Sequence, residues 1–164
     1  MPSAIGSELV MLLPRLRRFA VALCGQVTLA DDLVQSACTR ALAAANELAP
    51  GTRIDAWMFR IIRNVWIDEL RRKRTAGPVE DVESRHDLVG DSGEARAMDR
   101  LTLQDVREAI ERLPAEQREV LVLVCVEDMS YREAAEILNL PVGTVMSRLA
   151  RARQRLMELT SVAA

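Results

Sequence analysis

Hydrophobic positions in this chain recur at intervals of three and four, so the elements they predict are helices. From Glu8 to Cys24, the series Leu9, Leu12, Leu13, Leu16, Phe19, Ala20 and Leu23 makes one apolar face. Pro14 falls inside it and marks where that helix should start or kink. Thr28, followed by Asp31 and Asp32, reads as an N-cap with acids in the first turn of a second helix. That helix runs to about Ala45, with Leu29, Leu33, Ala37, Ala41 and Ala44 inward, and a Pro-Gly turn signal follows in residues 46–53. Asp55 reads as the cap of a third helix reaching Arg74, crowded with Trp57, Met58, Ile61, Ile62, Val65 and Trp66.

The pattern then stops. Residues 75–92 carry Gly, Pro and scattered acids without periodicity, which predicts a flexible linker. Helical spacing resumes near Ala95 and runs through Val106, Ile110 and Leu113; Pro114 opens the next helix, which carries Val120 to Val126. The fold expected is all-α: two small helical domains, residues 1–75 and 95–164, joined by a flexible acidic linker over 76–94.

The segment Tyr131 to Leu156 predicts two helices joined by a tight turn. Ala134 and Ala135 permit close helix approach, Asn139 suits a left-handed turn position, and Pro141 suits the opening of the next helix. In that helix Val145, Leu149, Ala152, Leu156 and Leu159 form an apolar face. Thr144, Ser147, Arg148, Arg151 and Arg155 fall on the other side, the arrangement a helix needs to enter a DNA major groove. A solvated basic helix in a helical hairpin gives the same pattern.

Composition removes alternatives. The chain has 164 residues, 49% of them hydrophobic but only five aromatic, which favours helices over sheets. Cys24, Cys38 and Cys125 have no metal-ligand spacing, and the single histidine, His86, lies in a polar stretch, so neither a metal nor a cofactor is expected. No glycine-rich phosphate loop, Cys/His pair or convergent carboxylate set points to an enzyme. No apolar run nears a membrane span and the N-terminus lacks a secretory pattern, so the expected compartment is the cytoplasm.

Charge distribution changes the picture more than the net value of −2. Residues 53–74 hold seven cations against three acids, and residues 144–158 hold four arginines against one acid. Residues 76–100 and 102–128 each hold seven acids against three arginines. Two basic islands between acidic segments point to two nucleic-acid contacts on a chain that does not bind DNA indiscriminately.

Three segments carry a resemblance. DDLVQSACTRALA from Asp31, DAWMFRIIRNVWIDELRRKR from Asp55 and the long block ERLPAEQREVLVLVCVEDMSYREAAEILNLPVGTVMSRLARARQRL from Glu111 occur in that order. The chain resembles bacterial RNA polymerase sigma factors of the extracytoplasmic-function (ECF) group, and PVGTVMSRLARAR with LPRLRRFA resembles the general-stress subgroup. The resemblance implies an alternative sigma factor that binds core polymerase, through the β′ clamp and β flap, and directs initiation at promoter DNA. It implies −10 contacts at Arg60, Arg63, Asn64, Asp68 and Arg71, with a flipped base near Asn64 and the loop before the third helix. It places −35 contacts at Thr144, Ser147, Arg148, Arg151 and Arg155, and the clamp contact at Asp31, Asp32 and Gln35. It also implies an anti-sigma factor as a regulatory partner. Met146 stands where many members carry a cation, and Arg153 lies off the main row, where pairing with an acid is the alternative to DNA. Two other readings fit part of the chain: a helix-turn-helix regulator that is not a polymerase subunit, and a sigma-like decoy for an anti-sigma factor.

Overall fold

The spacing of leucines in the first segment produces one uninterrupted helix, α1 (Ala4–Cys24), in a computed structural model that describes residues 4–76 and 97–161. Pro14 neither starts nor breaks it. Proline cannot donate to the carbonyl one turn back, but that carbonyl belongs to Val10, whose residue is 66% exposed, so water can replace the lost bond. Gly25, at φ 74°, reverses the chain, and α2 (Val27–Ala44) begins at once with Gln26 as its N-cap. Thr28 therefore lies inside the first turn and caps nothing, a correction to the expected start. A single 3-10 turn (Ala45–Glu47) and an irregular loop lead to α3 (Ile54–Thr75). Asp55 is likewise not the cap. It sits within the first turn, where its Oδ1 accepts from the N–H of Ala56 at 2.8 Å.

α1, α2 and α3 pack around Leu16, Phe19, Leu33, Ala37, Met58, Phe59 and Ile62. Phe19 and Phe59 meet edge to face with centroids 5.2 Å apart, and the Arg15 guanidinium stands 5.6 Å from the Phe59 ring centroid. Trp57 and Trp66 are half-buried against this core. The expected linker over 76–94 lies, Ala76 apart, outside the described residues.

The second half holds α4 (Ala97–Glu111), α5 (Ala115–Leu121), α6 (Tyr131–Leu138) and α7 (Val142–Ser161). α5 does not end cleanly. Its last turn widens into a π-wound segment (Val122–Val126), where the N–H of Glu127 reaches the carbonyl of Val122 at 2.9 Å. Asp128 then takes a left-handed conformation, φ 58°, before Ser130 opens α6 with a capping box shared with Glu133. Asn139 is left-handed at φ 54°, ψ 50°, and Pro141 accepts the first bonds of α7 from Thr144 and Val145, as the turn chemistry requires. Val145, Leu149 and Ala152 are buried and Leu156 and Leu159 half-buried, so the apolar face of α7 is as its spacing predicts.

The two halves touch. α1 lies against α5, α3 against α6, and the buried residues of both halves form one continuous cluster. Among the described residues all secondary structure is helical.

Candidate nucleic-acid interface

On α3 the residues Arg60, Asn64, Asp68 and Arg71 follow one another at four, four and three positions, and all are exposed. Chemically, this stripe can offer guanidinium donors to an anion and, at Asn64, both a donor and an acceptor. Asp68 is tied to Arg40 of α2 at 3.2 Å, an exposed pair. Arg63 does not join the stripe. It turns toward the second half, where its Nε donates to Glu119 at 3.0 Å and Nη1 to the carbonyl of Leu138 at 3.3 Å.

On α7, Ser147, Arg151 and Arg155 are exposed, Thr144 is half-buried, and the Ser147 hydroxyl donates to the carbonyl of Thr144 at 3.1 Å. Arg155 has only a loose partner, Glu158 at 3.7 Å. Arg148 is partly covered and lies 3.9 Å from Glu116 of α5. Met146 is half-exposed on the same surface. A β-carbon on Gly143 would meet nothing, so packing alone does not require glycine there. Arg153 corrects an expectation: its guanidinium approaches the sulfur of Cys125 at 3.9 Å rather than an acid.

On α2, Asp31 pairs with Arg17 at 2.8 Å, while Asp32 and Gln35 are exposed. Asp31 and Gln35 rim an open apolar groove of about 620 Å³ between α1 and α2, floored by Leu9, Val10, Leu13 and Leu42. The periodicity contained that groove unread: Val10 and Leu42 are apolar residues on the outward sides of their helices.

Sequence reasoning also missed a set of carboxylates. Glu127, whose side chain is 1% exposed, receives Arg15 at 2.7 Å and Arg18 at 3.1 Å, both from α1. Glu133 receives Arg53, and Arg118 of α5 donates to the carbonyl of Ala22. Burial pushes the Glu119 carboxyl above its ordinary range, against the pull of Arg63 and Arg148. Burial would raise Asp55 too, but bonds from Arg53 and from the N–H of Ala56, with the charges of Arg53 and Arg15, hold its carboxyl below the usual value. The available signal was two glutamates bracketing the apolar run from Val120 to Val126.

Known proteins share this arrangement of segments. The family model of sigma-70 region 2 matches residues 9–76, and that of sigma-70 region 4 matches residues 103–156. The ECF RNA polymerase sigma factor EcfG of Rhodopseudomonas palustris is 36% identical over 159 residues, covering 97% of this chain and 86% of that protein. The chain belongs to the ECF RNA polymerase sigma factors. Another such sigma factor, SigM of Mycobacterium tuberculosis, is 36% identical over 132 residues, 79% of this chain and 63% of that protein. Among solved structures, the sigma factor RpoE of Bartonella quintana, in complex with the anti-sigma factor NepR, superposes with a TM-score of 0.74. It is 34% identical and is covered over 98% of both chains. This sigma factor is thus an alternative sigma factor acting in transcription initiation, a role in which the family is non-catalytic. The regions matched are the two helical units, and α3 and α7 belong to one each.

Proposed function

We propose that this sigma factor reads a two-part promoter, with residues 1–75 serving the −10 element and core polymerase, and residues 95–164 serving the −35 element. The observation that carries this is the presence of one exposed cationic row in each family region, on α3 and on α7. At the −10 element Arg60 and Arg71 neutralise phosphate, and Asn64 reads a base splayed toward the loop of residues 46–53. Arg63 joins them once it leaves Glu119, and Asp68 orders the row through Arg40. At the −35 element Arg148 and Arg151 face base edges or phosphates, with Thr144, Ser147 and Arg155 flanking them.

Asp31, Asp32 and Gln35 dock on a basic surface of the polymerase β′ clamp, with the β flap held by the second half. The relative RpoE is held by an anti-sigma factor, which supports an anti-sigma factor as the regulator here and a stress response as the setting. No helix among the described residues is long and apolar enough to cross a membrane, which supports action in the cytoplasm, where polymerase is.

In vitro transcription with core polymerase and a promoter library tests the reading. Initiation at a defined bipartite sequence is the expected result. DNA binding without any polymerase-dependent initiation would replace it with a conventional regulator, and neither activity would replace it with a decoy.

A further inference from the structure

Each residue of a helix turns about 100° around its axis. On α7 the direction opposite the buried Val145, Leu149 and Ala152 therefore falls on Ser147 and Gln154, both exposed. The two edges of this outward face differ in chemistry. One edge carries Arg151 and Arg155, and the other carries Met146. Two turns further along the Met146 edge stands Arg153, but its guanidinium is turned back to the sulfur of Cys125 at 3.9 Å. That edge therefore offers an apolar side chain where its opposite offers charge.

Met146 is 50% exposed and closes no core, and Val142, one turn before it, is 40% exposed. Between the two edges the residues are short: Gly143, Ser147 and Ala150. A β-carbon at Gly143 would meet nothing within 4 Å, so the fold does not demand glycine at that place. Short residues along the centre let the helix backbone come close to a groove floor, with one long side chain reaching down on each side. Met146 is also the fifth residue of α7, within the N-terminal part that a recognition helix turns toward base edges.

A thioether chain makes no strong hydrogen bond. Set against a base edge rich in donors and acceptors, it strips water from groups that it cannot satisfy, and the contact is unfavourable. In the major groove thymine is the base that presents a methyl group, at C5, and apolar contact with it is favourable. Methionine is unbranched and polarisable, so it can settle on that methyl without precise placement. Attraction to one base and a penalty against the others together make specificity.

We propose that Met146 is a specificity-determining residue of promoter recognition, reading the C5-methyl of one thymine in the −35 element by apolar contact. The assignment rests on the reading of α7 as the −35 helix.

The experiment uses the full chain assembled with core polymerase and a promoter that this holoenzyme selects from a library. Each −35 thymine, on either strand, is replaced in turn by deoxyuridine, which removes the methyl group and keeps every hydrogen-bonding group. Competition binding then gives the affinity of the holoenzyme for each promoter. At one position wild type should lose about fourfold, the factor carried by one buried methyl group. M146A should bind the thymine and deoxyuridine promoters alike, while M146L, of similar volume, should keep the preference. M146K should bind both more tightly, with a salt dependence steeper by about one phosphate contact, and should not tell them apart.

Deoxyuridine that is silent at every −35 position in wild type overturns the assignment, as does a preference that survives undiminished in M146A. A selected −35 element without an A·T pair overturns it as well. In each of these cases base-pair substitutions in the −35 region still alter initiation, and the reading of α7 stands. Substitutions silent throughout that region would overturn both.

Discussion

Asn139 is where backbone geometry, stability and the proposed DNA reading meet. At φ 54° and ψ 50° it ends α6, its N–H reaches the carbonyl of Glu136 at 3.4 Å, and the N–H of Leu140 closes the turn on Ala135 at 3.0 Å. An ordinary L residue pays about 1–2 kcal/mol for this conformation, while asparagine recovers part of that through local hydrogen bonding. Asn139→Ala should therefore cost about 1 kcal/mol, and Asn139→Val more, because a β-branched side chain crowds the turn further. Asn139→Gly should stay within about half a kcal/mol, since the freedom gained in the native state is offset by entropy of the unfolded chain.

For a chain of this length, each kcal/mol moves the melting temperature by about 2–4 °C, so the alanine variant should melt about 2–4 °C lower. Thermal melts followed by circular dichroism at 222 nm measure the order, and promoter-directed transcription below the melt shows whether α7 is still aimed. An alanine variant melting with or above wild type, or a valine variant no worse than alanine, would show that the turn does not demand a left-handed residue. The account of the α6–α7 junction would then be wrong.

Other outcomes follow from the same geometry. Asp128→Gly relieves a second left-handed position and, like Asn139→Gly, should leave stability within about half a kcal/mol in denaturant melts, because the relief is offset by the entropy glycine adds to the unfolded chain. Arg148→Ala should cost about 1–3 kcal/mol of −35 affinity with relaxed specificity at one base pair; an equal loss on every promoter variant would reduce its role to phosphate. Asp32→Lys should weaken binding to core polymerase with helicity unchanged, and undiminished affinity would remove α2 from the docking surface. The Asp55 carboxyl is held low in the native state, so its contribution is present above the ordinary aspartate value, about 3.9, and is lost as pH falls through the lower native one. Acid unfolding of Asp55→Asn should accordingly be less steep below about pH 4 than that of wild type, as read by fluorescence of Trp57 and Trp66.

The parts of this molecule legible in its sequence are those governed by near neighbours. The apolar face of α7, the left-handed Asn139 and the opening at Pro141 each depend on residues within two turns, and each is where spacing puts it. Local rules failed where distant packing overrode them. Pro14 sits mid-helix because α2 and α3 hold α1 straight on one side and solvent replaces the missing bond on the other. Thr28 lost its capping role because Gly25 turned the chain two residues early. The π-wound turn hides in Val122–Val126, where a uniformly apolar run has no period to read. The exposed rows on α3 and α7 could be placed from sequence, but not the diversion of Arg63. Its partner is 56 positions away, and the Arg15–Glu127 pair spans 112. Contacts that distant leave no periodic trace.

If α7 reads the −35 element as proposed, the length of its arginine row sets a limit on what this helix can know. From Arg148 to Arg155 the rise along the axis is about 10 Å, because each helical residue advances about 1.5 Å. DNA advances about 3.4 Å per base pair, so the row spans about three pairs. Three pairs distinguish about 64 words, and a genome offers roughly a million or more competing sites. A reader of that vocabulary meets its word at thousands of places. Its message becomes an address only when a second word, read by another helix at a set distance, must be present as well.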